Sequence, residues 1–325
     1  MTLSEEFGHH PSRRARLLAH LDVTAGRGLE IGPLDSPIAS KEECDVMYVD
    51  IHHAEGLRDF YSAHPGFPVE DIIEVDVALI QEGRTRSLAE AIESSIPRDW
   101  VVASHVIEHV PDVIGWLKDV ADVIVDGGRL SLAVPDRRYC FDARRPATTV
   151  GEMLLAHYHR DERPSVRAVF DHFHEAVRIT PQEAWQSGRP GRDKIIFPLA
   201  MARDMVRRSV EDGTYIDCHV WLFTPRGFVR QVAALAELGH VDFTVMDIAP
   251  TAVNDMEFFA TLQRIPRAID EATRAEMISS GFDLPSDSVT GDPTRRWVEL
   301  SHIEQRLIEI KRQVMGRLRG IRSPH

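Results

Sequence analysis

The chain has 325 residues, of which 43% are hydrophobic and 27% charged, and its formal net charge is −13. The hydrophobic share is that of a soluble globular protein, and no apolar run approaches the roughly 20 residues that span a membrane. The acidic balance disfavours a nucleic-acid partner, because affinity for a phosphate backbone comes from clustered Lys and Arg. Three cysteines without metal-ligand spacing and an N-terminus too polar for a secretory signal predict reduced thiols and a cytoplasmic location.

Strands and helices alternate over the first 135 residues. This alternation predicts a parallel sheet with right-handed crossovers. The predicted elements, in chain order, are a helix over 11–22, a strand around Leu29 and Ile31, a strand over 44–51, mostly loop with one helical turn over 52–70, a strand over 71–77, a short helix over 85–94, a strand over 100–106, a helix over 111–125 and a strand over 128–135.

The alternation resumes with a predicted helix over 225–238 and closing strands over 241–248 and 256–263. The nearly ninety residues between the fifth strand and that helix are far more than an ordinary connection, so they predict a lid. Near the C-terminus, residues 293–319 predict a long helix with the seam of a coiled coil. That helix serves either a homodimer or packing against the body of the protein. The predicted parts are a ligand-binding core over 1–136, the lid or substrate subdomain over 137–223, completion of the core over 224–265, and a linker with the C-terminal helix over 266–325.

The turn after the first strand is the clearest sign of a ligand site. Gly32 and Pro33 end the strand sharply, and Asp50 ends the second strand 18 residues after Gly32. An acidic residue at that position is placed to accept hydrogen bonds from a ribose diol. A single glycine before a proline suits a nucleoside without phosphates better than a dinucleotide. Glu30 lies among apolar neighbours, and its carboxylate needs a partner, either a ligand's ammonium group or a nearby helix.

These motifs resemble those of the class I S-adenosylmethionine-dependent methyltransferases over roughly residues 25–265. The matching residues are EIGP at Glu30–Pro33, Asp50, Asp76 and SHVIEHV at Ser104–Val110. The runs PDRRYCFD at Pro135–Asp142 and HVWLFTP at His219–Pro225 resemble a bacterial branch associated with glycan synthesis, such as the mycobacterial-type sugar O-methyltransferases.

The resemblance implies a doubly wound, Rossmann-like α/β sheet of seven strands, the last one antiparallel, with a helical lid after strand five. It also implies an enzyme that transfers a methyl group from S-adenosylmethionine to a hydroxyl of a sugar or oligosaccharide. In the implied cofactor site, Glu30, Gly32 and Pro33 hold the methionine end, Asp50 binds the ribose, Asp76 and Val77 border the adenine, and Ser104 and His105 lie under the sulfonium.

The proton acceptor is sought among residues after the fourth and fifth strands and in the lid. His174, in the run DHFH, is the predicted general base, and His172 shares its side if that run is extended. His219 is the second choice. His109, Asp136 and Tyr139 are further candidates, and a structural role for His109 in its turn is left open.

Two questions about ligands stay open at this stage. No spacing is diagnostic of a metal, so no metal ligands are predicted, although magnesium held by Asp136, Asp142 and a histidine is an alternative. Four arginines lie close together after the fifth strand, and they indicate either an anionic acceptor or ion pairs within the protein. They are Arg137, Arg138, Arg144 and Arg145. The alternatives to sugar methylation are methylation of another small molecule and a non-catalytic, cofactor-binding module.

Overall fold

A seven-stranded sheet runs through the protein, whose computed structural model describes residues 11–62, 66–92 and 97–280. The strands are β1 (Arg27–Ile31), β2 (Asp45–Asp50), β3 (Val77–Ala78), β4 (Ile80–Gln81), β5 (Arg84–Thr85), β6 (Arg98–Ser104), β7 (Ile124–Pro135), β8 (Phe243–Ala249) and β9 (Glu257–Arg264). The sheet has the order β3-β2-β1-β6-β7-β9-β8, and β4 pairs separately with β5. β9 is antiparallel to both of its neighbours, β7 and β8, and the other neighbouring pairs of this sheet are parallel. The predicted seven-stranded sheet with its last strand antiparallel is therefore confirmed.

Helices connect the strands of the sheet. Within the described residues they are α1 (Pro11–Leu18), α2 (Ala54–Ser62), α3 (Leu88–Ala91), α4 (Val113–Val123), α5 (Val150–His159), α6 (Val166–Glu175), α7 (Pro181–Ser187), α8 (Leu199–Val210), α9 (Pro225–Glu237) and α10 (Glu271–Ser280), with 3₁₀ turns at Val69–Asp71 and Arg192–Lys194. Four of them, α5 to α8, lie in the segment for which a lid is predicted. No helix of the described ranges is long and apolar enough to cross a membrane.

The central strands are buried on both faces because successive side chains point to opposite sides of the sheet. In β6, Val101 belongs to one core cluster together with Leu117 of α4. Its neighbours Trp100 and Val102 belong to the other, together with Leu17 of α1. With both faces covered, polar side chains of these strands can meet a ligand only where the strands end.

The order of the strands reverses between β1 and β6. From β1 the chain continues to β2 and β3 on one side, whereas β6 and β7 lie on the other. In open α/β sheets, ligands bind beside the carboxyl ends of the strands at such a switch point. Both turns that leave these ends have left-handed backbone, with φ of 70° at Gly32 and 54° at His105.

Two predicted elements differ from the structure near the first edge of the sheet. The third strand is only Val77–Ala78, because Ile72 and Val75 leave the sheet and pack with Leu57 of α2. The segment after β2 was predicted as mostly loop, yet it contains the nine-residue helix α2. The predicted C-terminal helix over 293–319, with its dimer role, lies outside the described residues.

Candidate functional site

The turn after β1 is held in place by a buried carboxylate. Glu30 accepts hydrogen bonds from the backbone N–H groups of Ile38 at 2.7 Å and Ala39 at 2.9 Å. Burial raises the pKa of Glu30 to about 7, against the lowering effect of these two bonds. Gly32 donates its N–H to the carbonyl of Val49 at 2.9 Å, which joins the turn to the end of β2. Glu30 therefore shapes the loop that a ligand meets, and its direct contact with a cofactor remains a prediction.

Asp50 has an acceptor atom that nothing in the described protein satisfies. It ends β2, and its Oδ1 accepts the N–H of Ile51 at 2.7 Å. Its Oδ2 is buried without a hydrogen-bond partner in the described part of the chain, and burial raises the pKa of Asp50 to about 6. An unsatisfied buried acceptor costs free energy, so a ligand that donates hydrogen bonds here is favoured.

The residues predicted to border the adenine lie close to this edge. Asp76 precedes β3, and its carboxylate accepts from Tyr48 N at 2.8 Å and from Lys41 Nζ at 2.6 Å. Both of its oxygens are thus engaged within the protein. Val77 is half-buried at the start of β3. Pro33 is buried in the loop after β1. Their contact with an adenine remains a prediction.

At the end of β6, Ser104 and His105 belong to a charged network. Ser104 accepts a hydrogen bond from Arg13, which also donates to Glu257 at 2.8 Å. His105 lies between Glu257, at 2.7 Å from Nε2, and Glu108, at 3.3 Å from Nδ1. Burial lowers the pKa of His105, but the two carboxylates outweigh it and raise the pKa to about 9. His105 is accordingly an imidazolium at neutral pH.

Just beyond this network, Glu108, His109 and His219 form a group that we call the Glu108 cluster. One potential ligand atom of each lies within 4.8 Å of those of the other two. The two imidazole rings meet edge to face, with centroids 4.8 Å apart. The backbone fixes this approach, because Val220 and Trp221 both donate their N–H groups to the carbonyl of Glu108.

Each histidine of the Glu108 cluster is oriented by its own carboxylate. His109 Nδ1 lies 2.9 Å from Asp217, and His219 Nδ1 lies 2.6 Å from Asp142. These contacts place a proton on Nδ1 of each ring, so that in the neutral form the lone pair lies on Nε2. Burial lowers the pKa of His109, but Asp217 and Glu108 outweigh it and raise that pKa above its ordinary value. Asp142 also pairs with Arg145 at 2.6 Å. Although burial raises the pKa of Asp142, His219 and Arg145 together lower it below the ordinary range.

The turn after β1 and the segment that leads to the Glu108 cluster lie next to each other. Ile31 at the end of β1 is paired with Ala103 of β6, and a Cβ added to Gly32 would come within 2.8 Å of Val106 Cγ2. Asp50 ends the strand on the other side of β1. We therefore treat this edge of the sheet and the Glu108 cluster as one candidate site.

The structure places the other predicted catalytic residues in different surroundings. Asp136 is fully buried, with Arg138 at 2.6 Å and Thr251 at 2.7 Å. Tyr139 is also buried and stacks on Trp185 with centroids 4.0 Å apart. These contacts hold the chain that follows β7, and a catalytic role for either residue remains a prediction.

His174 and His172 do not share a side, because the run that contains them is helical and belongs to α6. His174 pairs with Glu175 at 3.2 Å and stacks on Phe170. His172 instead lies against Phe141, whose ring also contacts His219. Its Nδ1 is buried without a partner in the described part of the chain, and burial lowers the pKa of His172 to about 3.

The basic group after β7 forms internal contacts. Arg138 pairs with Asp136, Arg144 with Glu175 and Arg145 with Asp142. Arg137 donates to the backbone carbonyl of Arg145. Ion pairs within the protein thus account for three of the four arginines, and the fourth, Arg137, is hydrogen-bonded to the backbone.

Sequence reasoning did not single out Glu108 or Asp217 for the site. Two signals in the sequence point to these residues. Glu108 directly precedes His109, and Asp217 lies two residues before His219, a spacing that puts the side chains of Asp217 and His219 on one side of an extended run.

No protein-family model matches the chain, and no curated protein matches it. Among solved structures, it is similar to the CcbJ methyltransferase from Streptomyces caelestis, with 11% identity over 80% of this chain and 98% of that one and a TM-score of 0.38. It is similar to an S-adenosylmethionine-dependent methyltransferase from Mesorhizobium loti, with 13% identity, coverage of 78% and 96%, and a TM-score of 0.38. It is also similar to magnesium protoporphyrin IX methyltransferase from Synechocystis, solved with bound SAH, with 12% identity over 78% of this chain and 81% of that one and a TM-score of 0.34. At these identities and TM-scores, the function proposed below rests on the contacts of the site itself.

Proposed function

We propose that this protein is an S-adenosylmethionine-dependent methyltransferase that acts on a hydroxyl of a small molecule. The observation that carries the proposal is the unsatisfied, buried Oδ2 of Asp50 at the carboxyl end of β2. A ribose diol supplies the hydrogen-bond donors that this atom lacks, and the strand lies next to the switch point where ligands of such sheets bind.

The surroundings of Asp50 fit a nucleoside with an amino-acid tail. The turn at Gly32 opens beside it, and Glu30 keeps the following loop in a fixed shape through Ile38 and Ala39. That turn contains a single glycine before Pro33, as expected for a ligand without a pyrophosphate. When bound, S-adenosylmethionine supplies a methyl group on a sulfonium, which an acceptor oxygen can take with loss of a neutral thioether.

The Glu108 cluster is where the proton of an acceptor hydroxyl can be handled. In their neutral forms His109 and His219 have the lone pair on Nε2, because Nδ1 is held by Asp217 and Asp142. As the bond from oxygen to the methyl carbon forms and the bond from that carbon to sulfur breaks, the hydroxyl proton must leave. The cluster, instead of His174, is therefore the proposed place for that step.

A sugar or oligosaccharide is the acceptor that we propose. The two segments whose sequences resemble the glycan-associated branch meet in the structure through Asp142 and His219, which are 2.6 Å apart. The family resemblance of these segments thus falls on residues that border the cluster. Another small-molecule hydroxyl would use the same proton-handling groups.

Calorimetric titration with S-adenosylhomocysteine tests the cofactor assignment. Asp50→Ala is expected to weaken binding by about 1.5–3 kcal/mol through lost charge-assisted hydrogen bonds. Asp45→Ala is the matched control, because Asp45 begins the same strand at its opposite end and is exposed beside Arg27. Failure of the folded protein to bind, or equal losses in both variants, would overturn the assignment.

Transfer of a labelled methyl group to a panel of sugars tests the place of proton handling. His219→Ala is expected to abolish transfer, whereas His174→Ala is expected to retain it. Loss of transfer in His174→Ala with retention in His219→Ala would support the base predicted from the sequence and refute the role of the cluster. If no sugar accepts the methyl group but another hydroxyl compound does, the carbohydrate acceptor is refuted and the methyltransferase activity stands.

A further inference from the structure

We infer that Glu108, His109 and His219 bind a divalent transition-metal ion, for which zinc is the best representative. Two imidazoles and one carboxylate are a ligand set that suits zinc and its first-row neighbours, with positions left for water or an acceptor oxygen. No spacing in the sequence indicates this site, because His219 is far from the other two ligands along the chain.

The positions of the three side chains suit one shared ion. Two ligand atoms that are each about 2.1 Å from an ion lie at most about 4.2 Å apart. His219 Nε2 is 4.0 Å from Glu108 Oε1, and one candidate ligand atom from each of the three residues lies within 4.8 Å of the others. Binding of an ion would require the side chains to rotate toward it, whereas the backbones of the two segments are already joined at Glu108.

The carboxylate of Glu108 is buried, and the cation beside it, His105, is shared with Glu257. Only 1% of the residue is exposed, and neither of its oxygens has a hydrogen-bond partner in the described part of the chain. His105 Nδ1 lies 3.3 Å from Glu108 Oε1, and the other nitrogen of the same ring, Nε2, lies 2.7 Å from Glu257. A divalent ion would ligate oxygens that make no hydrogen bond in the described part of the chain, and it would add to the compensation that His105 provides.

A second layer of carboxylates completes the arrangement. Metal-ligating histidines commonly donate their other ring N–H to a carboxylate, which fixes the ring and strengthens the ligand. Asp217 accepts this N–H from His109 at 2.9 Å, and Asp142 accepts it from His219 at 2.6 Å. Both rings therefore have Nε2, and not Nδ1, available for the ion.

The ligand set favours a transition metal over the magnesium considered from the sequence. Magnesium prefers oxygen ligands and keeps most of its water, whereas two neutral imidazoles favour a softer ion. Asp136 is bound to Arg138 and Thr251, and Asp142 orients His219. Both carboxylates are thus engaged within the protein, which disfavours the alternative of a magnesium ion held by Asp136 and Asp142.

The role of the ion rests on the proposed function, although the site itself does not. An ion here would bind the acceptor hydroxyl and lower its pKa, so that its O–H bond breaks and the proton passes to water. His109 and His219 would then be ligands and would not take the proton themselves. Methyl transfer by the metal-free protein and by the metal-loaded protein would consequently differ in pH profile.

Titration of the metal-depleted full-length protein with Co²⁺ tests the site by visible absorption, with Zn²⁺ and Mg²⁺ followed by calorimetry. One equivalent of Co²⁺ is expected to produce d–d bands, and Zn²⁺ should displace it. The variants Glu108→Gln and His219→Ala are expected to weaken binding by more than about tenfold, at least as much as loss of an outer-layer partner does. Circular dichroism verifies that each variant is folded.

His157→Ala is the matched control, because His157 also has Nδ1 paired with a carboxylate, Asp112 at 2.8 Å, but does not belong to the cluster. Binding that is unaffected by Glu108→Gln and His219→Ala, or equally affected by His157→Ala, would place the ion elsewhere and overturn the inference. Absence of stoichiometric binding, or a preference for Mg²⁺, would overturn it too. If His219→Ala does not fold, Glu108→Gln and His109→Asn decide. S-adenosylhomocysteine binding is measured in parallel, so failure of the metal site and failure of the cofactor site are told apart.

Discussion

His219 Nδ1 lies 2.6 Å from Asp142 Oδ2, although 77 residues separate the two along the chain. The other oxygen of Asp142 accepts from Arg145 at 2.6 Å, and Arg145 in turn donates to the backbone carbonyl of His219 at 2.8 Å. Asp142 and Arg145 are almost completely buried. One carboxylate thus orients a ring of the candidate site and neutralises a buried guanidinium.

Asp142→Asn is expected to destabilise the protein by about 3–5 kcal/mol, because it leaves the buried charge of Arg145 without its counter-ion. Denaturant unfolding at neutral pH measures the change. A loss below about 1 kcal/mol would show that Arg145 finds another partner or water in the variant.

Asp217→Asn makes the matched change at the other histidine. Because the Asp217 side chain is 37% exposed, loss of its pairing with His109 is expected to cost less than about 1 kcal/mol. Equal losses of stability in the two variants would show that the buried Asp142 pair contributes no more to stability than the exposed Asp217 pair.

Asp50→Asn is expected to stabilise the ligand-free protein. The pKa of Asp50 in the fold, about 6, exceeds its ordinary value of 3.8. Folding therefore favours the protonated form, and ionisation costs stability progressively as the pH rises from about 3.8 to above 6. The full cost at neutral pH is roughly 3 kcal/mol. Denaturant unfolding should show the variant more stable at pH 7.5 and close to wild type at pH 4.

The same substitution is expected to weaken S-adenosylhomocysteine, since a neutral amide accepts hydrogen bonds less strongly than a carboxylate. In wild type, the affinity should fall as the pH decreases through about 6 and Asp50 becomes protonated. Calorimetry between pH 5 and pH 8 measures both effects. A variant whose affinity falls with pH as steeply as that of wild type would assign the titration to another group.

His105 gives a pH dependence of opposite sign. Its pKa in the fold, about 9, exceeds the ordinary 6.5 because Glu108 and Glu257 outweigh burial. The resulting stability is fully present below about pH 6.5 and is lost as the pH rises through 9. The difference between these two pKa values corresponds to roughly 3 kcal/mol.

His105→Asn removes the titrating ring, and asparagine tolerates the left-handed φ of 54° at this position. The gap in unfolding free energy between wild type and His105→Asn is expected to be largest at pH 6 and to shrink by pH 9.5. Denaturant unfolding at both pH values measures it. A gap that stays constant with pH would mean that His105 is not held as a cation.

Much of the sheet could be predicted because its strands are buried runs that end at clear turns. The ends of β6 and β7 at Ser104 and Pro135 lie within two residues of those predicted. The failures lie where tertiary packing competes with local pattern. Ile72 and Val75 read as a strand, but they serve a small core under α2. The proline-containing run after β2 read as loop, yet its first residues form that helix.

The candidate site was less accessible to sequence reasoning. His109 and His219 could be marked as candidates, but nothing local indicates that their rings come within 4.8 Å of each other. His174 was preferred on an extended interpretation of its run, which is helical. Asp50 was found because its position depends only on the first two strands. Convergence of segments more than a hundred residues apart depends on the whole fold.

Gly32→Ala tests how closely the turn after β1 must approach its surroundings. Its φ of 70° is left-handed, and a Cβ there would come within 2.8 Å of Val106 Cγ2. The dihedral strain alone costs about 1 kcal/mol, and the contact forces the turn or the neighbouring chain to move. Gly83→Ala is a matched control, because Gly83 has a φ of 77° and nothing within 4 Å of the added atom.

Both variants are expected to lose a similar increment of stability from the dihedral in denaturant unfolding. Only Gly32→Ala should lose affinity for S-adenosylhomocysteine, by at least about tenfold if the turn moves enough to displace a bound nucleoside from Asp50. Equal affinities in both variants would mean that the turn is not part of the ligand site.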